Sequence, residues 1–153
     1  MEEKTFLFNP FKIKDVSNRE LQIMYQETYN KLIEEPNSMY EYAHNIEVYS
    51  NLMYICGECI ARFTREIIEL KTKIQISSAK DIVNERNEWL KYNDGKPPAM
   101  SYFEAMAKEF VKEDSKRLAE LGSRLFRFKK AYESIDSKQN ALKKKIEAIR
   151  YEI

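Results

Sequence analysis

Cys56 and Cys59 lie three residues apart in the stretch MYICGECIARF, residues 53–63, and are the only two cysteines of the chain. That spacing suits a redox dithiol or half of a zinc site. A thioredoxin-type dithiol places its first cysteine at a helix N-terminus after a strand, where the helix dipole lowers the thiol pKa. Cys56 instead falls deep inside a helical pattern, with no strand–helix–strand unit before it. A zinc site needs four ligands. The chain offers Cys56, Cys59 and its single histidine, His44, three turns away. Packing, a metal or disulfide shared between subunits, and redox chemistry are therefore the three readings, and the spacing favours packing. Cys56 then sits on a helical seam, Cys59 flanks it, and Gly57 lets another helix approach closely.

No other constellation for catalysis stands out. His44 has no Ser, Cys or Asp at a distance that would make it a base. The chain shows no Gly-rich phosphate loop, and no carboxylates with metal-ligand spacing. The expectation is a protein that is not an enzyme, with no cofactor and no metal.

The basic residues carry a stronger signal. Over the whole chain 26 bases balance 25 acids. From Met1 to Ser50 nine acids face five bases, whereas from Lys116 to Arg150 eleven bases face four acids. An acidic head and a basic tail suit head-to-tail association or a polyanion-binding C-terminal helix. Lysines and arginines along a helix can neutralise phosphates, and nearby aromatics can stack bases. Lys71, Lys73, Lys129, Lys130, Lys143, Lys144 and Lys145 are the candidate nucleic-acid contacts, with Arg124 and Arg127 assisting. A solvated face paired with glutamates is the plain alternative.

These residues are positioned by helices. Three glycines and four prolines in 153 residues leave few turns, and 33% charged with 43% apolar residues suits long amphipathic helices. Ser17, Ser38 and Ser101 each precede a glutamate by three residues, the signature of a capping box. The expected order is an extended aromatic arm over 1–16, whose Phe6, Phe8 and Phe11 dock on helices or on a neighbouring subunit. A helix over 17–35 follows, then a long helix over 38–92 broken near 77–78, a hinge over 93–100, and a long basic helix over 101–153. In the second helix Ile46, Met53, Ile60, Ile67 and Ile74 at a alternate with Tyr42, Tyr49, Cys56, Phe63 and Leu70 at d. In the last, Leu118, Leu121, Leu125, Phe128, Tyr132, Ile135, Gln139, Leu142, Ile146, Ile149 and Ile153 form a second register. Gln139 is its one polar member, a device that can fix register and partner number. The fold class is thus all-α: long heptad helices forming an antiparallel hairpin or bundle, coiled-coil-rich and oligomeric, in a single domain. Its seam comprises Ile46, Tyr49, Met53, Cys56, Ile60, Phe63, Leu125, Phe128, Tyr132, Gln139 and Leu142.

At Ala43-His44-Asn45-Ile46-Glu47-Val48-Tyr49-Ser50, and again over AYESIDSKQNALKKKIEAI at 131–149, the chain resembles UvsY-type phage recombination mediators. The similarity spans roughly residues 40 to 150 and rests on spacing and a few identities. It departs from that family in the aromatic arm, the CxxC and Pro97-Pro98. The resemblance implies an oligomer that binds single-stranded DNA and helps load a RecA-type recombinase onto strands coated by single-strand binding protein. It also places a DNA-contacting basic pair at Lys71 and Lys73. The leading expectation is a phage-type accessory factor of DNA recombination or replication. The alternative is a protein-binding module, such as an inhibitor of a host defence factor or an assembly scaffold. No apolar run approaches the roughly 18 residues of a membrane span, and the start of the chain lacks signal-peptide character. The expected location is cytoplasmic, in the host cytoplasm if the chain is phage-encoded.

Overall fold

A computed structural model describes residues 12–152, and Phe6, Phe8, Phe11 and Ile153 lie outside that range. A single 3-10 turn, Ile13–Asp15, is followed by four helices: α1 Asn18–Tyr29, α2 Met39–Tyr92, α3 Met100–Phe110 and α4 Lys112–Glu152. No strand occurs among the described residues, so the all-α class holds. α2, at 54 residues, extends about 80 Å at ~1.5 Å per residue.

The helix starts follow local chemistry unequally. Ser17 forms a full capping box: its hydroxyl accepts from the Glu20 N–H at 3.1 Å, and the Glu20 carboxylate accepts from the Ser17 N–H at 2.7 Å. At Ser38 the box is half made. The hydroxyl accepts from the Glu41 N–H, but the Glu41 carboxylate takes the N–H of Asn37 instead. Ser101 is not a cap, because α3 already begins at Met100 with Ala99 as its N-cap. Pro97 and Pro98 hold the preceding chain out of the helix, and the helix begins as soon as they are passed.

Three expected boundaries move. α1 ends at Tyr29 rather than near 35, where the Asn30 N–H donates to the Gln26 carbonyl. The chain is then held off the helix by α2, as described below. The break near 77–78 is absent, and α2 continues through Ser77 and Ser78; two serines cost a helix only a few tenths of a kcal/mol each, about 0.5 at most. The last helix is instead divided. Val111, at φ −102° and ψ 13° and buried, separates α3 from α4.

The chain forms two compact units. One contains residues up to Arg62 together with Leu125–Ile153, and the other contains Phe63–Arg124. In the first, the Gln139 amide reaches Ile46 and Ser50, Ile135 packs with Val48, Leu52 and Cys56, and Lys145 lies over Tyr42. Positions on α4 fall as those on α2 rise, so the two helices run antiparallel. In the second, Glu66 pairs with Arg117 and Lys73 with Asp114, again antiparallel, around buried Leu70, Phe103, Ala107, Val111 and Leu121.

On α4 Leu121, Ile135, Gln139 and Leu142 of the expected register are buried, whereas Tyr132, expected in the seam, is 37% exposed and borders an open groove. On α2 the deepest residues of the first unit are shifted by one position. Ile46, Tyr49, Met53 and Ile60 are half-buried, while Asn45, Val48, Leu52 and Ile55 are buried along with Cys56. The reason is a second covered face. α1 and the 3-10 turn pack Ile13, Leu21 and Met24 onto Ile55, with Cys59 beside them.

Candidate functional site

The cysteine pair belongs to this packing. Cys56 is fully buried among Val48, Leu52 and Ile135, and burial, with Cys59 adding to it, pushes its thiol up to about 11. Burial also raises Cys59, partly opposed by the Arg62 guanidinium. Neither thiol is activated, and both are free. Among the described residues no group of three or more His, Cys, Asp or Glu is placed to hold a metal ion. No helix of this chain packs on Gly57: a Cβ built there meets nothing within 4 Å. It borders an open groove with Met53, Tyr54, Tyr132 and Ile13.

Residues around the pair act as pins. Arg62 donates from Nε to Glu58 at 2.9 Å, from Nη1 to Asn18 at 2.9 Å, and from Nη2 to the carbonyls of Ile13, Lys14 and Val16 at 3.2, 3.4 and 2.7 Å. One planar fork thus satisfies the loose carbonyls of the 3-10 turn and ties it to α2. Asn45 reads the backbone of Ile33 in both directions: its Oδ1 accepts from the N–H at 2.9 Å and its Nδ2 donates to the carbonyl at 2.8 Å. His44 Nε2–H donates to the Lys31 carbonyl at 2.8 Å. These bonds hold the α1–α2 connection away from the helix that the sequence suggested. Gln139 donates to the Ile46 carbonyl and to Ser50, and accepts from Lys143. The buried amide sets the α2–α4 register within the chain. Asn45 was not singled out from the sequence; its signal is the 4-3 run Asn45, Val48, Leu52, Ile55, Cys59, Arg62, one step out of phase with the seam that was.

The predicted nucleic-acid contacts do not converge on one line. Lys71 and Lys73 lie on opposite sides of α2 at 100° per residue, and Lys73 is paired with Asp114 at 3.3 Å. The consecutive lysines of α4 point three ways: Lys143 bonds to Gln139, Lys145 stands 5.7 Å over the Tyr42 ring, and Lys144 faces outward. Arg124 and Arg127 are exposed, and Arg127 shares the flank of Lys145.

What the fold does assemble is the outer side of α4 opposite its buried register. Phe126, Lys130, Glu133, Lys144 and Tyr151 share that side, with Lys129 and Glu147 at its edge, over about 38 Å of helix at ~1.5 Å per residue. Phe126 is 61% exposed and Tyr151 91% exposed. The Lys130 ammonium stands 5.6 Å from the Phe126 ring and 2.8 Å from Glu133. Eight bases and four acids occupy residues 125–153, against five bases and eight acids over residues 12–62 of the same unit. The acidic head and basic tail therefore fold into one unit, with opposite charge on different helices. Positive charge beside open aromatic faces can hold phosphates and stack bases.

No protein-family model, curated protein or solved structure matches the chain. No helix among the described residues is long and apolar enough to cross a membrane.

Proposed function

We propose that the chain is a non-enzymatic accessory factor of DNA recombination or replication that binds single-stranded DNA along the outer side of α4. The observation that carries this reading is the exposure of Phe126 and Tyr151 on the same helical side as Lys130 and Lys144. Lys129 edges this track, and Arg127 and Lys145 supply charge from its flank. Lys71, Arg124 and Lys143 contribute less, and Lys73 is engaged by Asp114. Help in loading a RecA-type recombinase, within an oligomer and against single-strand binding protein, follows from the resemblance to UvsY-type mediators.

Fluorescence anisotropy with a labelled single-stranded oligonucleotide tests the interface. Phe126→Ala with Tyr151→Ala removes the stacking faces, at about 1–3 kcal/mol per base lost. The double variant binds at least about tenfold more weakly, while its helical content is unchanged because both rings are exposed. Lys130→Glu with Lys144→Glu produces a similar loss. Unchanged affinity in both variants contradicts the assignment.

A further inference from the structure

An open groove of about 580 Å³ runs through the first unit, between α2 and α4 and beside the 3-10 turn. Its apolar lining is Met53, Tyr54 and Gly57 of α2, Tyr132 of α4, and Ile13 at one edge. Tyr54 is 58% exposed and Tyr132 37% exposed. The polar groups around it are already engaged. Gln139 donates to the Ile46 carbonyl and to Ser50, and accepts from Lys143. The Glu58 carboxylate accepts from Arg62 Nε at 2.9 Å. The groove therefore suits an apolar occupant better than a polar small molecule.

The chain itself delivers one to this edge. Ile13 is buried with Ile55, Leu21 and Met24, and Arg62 ties the carbonyls of Ile13, Lys14 and Val16 to α2. The residues before Lys12 therefore leave from a fixed point on the rim. They read TFLFNPF over 5–11, with three phenylalanines. From Lys12 back to Phe8 an extended chain reaches up to ~14 Å at ~3.6 Å per residue. Ser50 to Gly57, the length of α2 along the groove, rises about 10.5 Å at ~1.5 Å per residue. Phe8 and Phe11 thus fall within reach of the whole groove with no linker between.

We infer that residues 5–11 dock in this groove of their own molecule, with Phe8 and Phe11 against Met53, Tyr54 and Tyr132. Local chemistry suits that place. Pro10 disfavours helical geometry at Asn9, and an extended chain with three residues per turn carries Phe8 and Phe11 on one side. Ring-to-ring contacts add to the burial of apolar surface, and the fixed φ of Pro10 reduces the entropy lost on docking. A second copy's arm meets the groove only at the concentration of the protein, whereas the direct tether sets a local concentration on the order of millimolar or more. Tyr132 lies at least about 100° around α4 from Phe126 and Tyr151 at 100° per residue, so this inference is independent of the α4 reading.

Urea unfolding of the full-length chain, arranged as a mutant cycle, provides the test. Phe8→Ala with Phe11→Ala lowers the folding equilibrium constant about tenfold or more, with a midpoint independent of protein concentration. Tyr54→Ala removes one wall of the groove and lowers the constant as well. All three substitutions together cost at least about threefold less than the product of the two separate losses, because they remove the same contact. In the unsubstituted chain the Phe8 and Phe11 rings give nuclear Overhauser contacts to the Met53 methyl. Losses that simply multiply, no loss on removing the two phenylalanines, or absence of those ring-to-methyl contacts overturns the inference. A midpoint that rises with protein concentration, together with a sedimenting mass that falls in the Phe8→Ala, Phe11→Ala variant, assigns the arm to a second copy's groove and overturns it equally.

Discussion

At the scale of single residues, CxxC spacing is explained by two neighbouring packing faces of one helix. Cys56 faces Ile135 of α4, and Cys59 faces the cluster built by α1 and the 3-10 turn. Iodoacetamide at neutral pH should alkylate Cys59 ahead of Cys56, which reacts only on unfolding; mass spectrometry of the native protein reads the order. The raised Cys56 pKa also has a stability consequence. In the unfolded chain the thiol ionises near its ordinary 9.0, whereas the folded state keeps it protonated up to about 11. Stability is therefore intact below pH 9 and declines as pH rises through about 11. Burial raises Tyr25 and Tyr49 in the same direction, so Cys56→Ala should flatten only part of the alkaline fall in Tm. Arg62 is the residue whose loss the first unit feels most directly. Arg62→Ala should cost about 2 kcal/mol in urea unfolding, and Arg62→Lys should recover little, since an ammonium cannot span Glu58, Asn18 and three carbonyls. Neither the Arg62 fork nor the Asn45–Ile33 pair was legible from the sequence. The 4-3 run from Asn45 to Arg62 marks the face they share, but not the distant backbone that each of them meets.

At the scale of elements, the sequence revealed helices better than their ends or faces. The α4 register was readable because one continuous apolar stripe meets one neighbour. α2 was harder: its first half is covered on two sides, so two overlapping 4-3 runs compete, and the one with more isoleucine is not the deeper. Ser77 and Ser78 looked like a stop because serine is a weak helix former. Within a continuous 54-residue helix the cost of two weak formers is too small to end it. Val111 showed the reverse: a residue with no breaker chemistry interrupts the last helix, at φ −102° and ψ 13°. Gly57 separates a packing role from a permissive one. With open space where its Cβ would stand, Gly57→Ala should raise stability by about 0.5–1 kcal/mol through helix propensity, measured as a higher urea midpoint. A lower midpoint that depends on protein concentration would mean that another subunit's helix approaches this position.

At the scale of the whole molecule, the all-α class and the antiparallel pairing of α2 with α4 follow from long heptad runs separated by Asn93–Pro98. The charge asymmetry was equally visible, but its meaning changed once both ends of the chain entered one unit. Head and tail meet within the chain, as Lys145 over Tyr42 shows. The outer side of α4 carries Phe126 and Tyr151 with Lys129, Lys130 and Lys144, set against Glu133 and Glu147. Within Ala43–Ser50, part of the stretch on which the resemblance rests, His44, Asn45 and Ser50 bond to Lys31, Ile33 and Gln139 and so serve a turn and a register in this chain. The proposed DNA binding rests on α4. The most direct measurement is the affinity of the full-length chain for a single-stranded oligonucleotide across a salt series. Contact of about five phosphates by the α4 lysines and Arg127 gives a slope of log K against log salt near −3.5, at ~0.7 per phosphate. Affinity absent at low salt, or insensitive to added salt, would contradict the account.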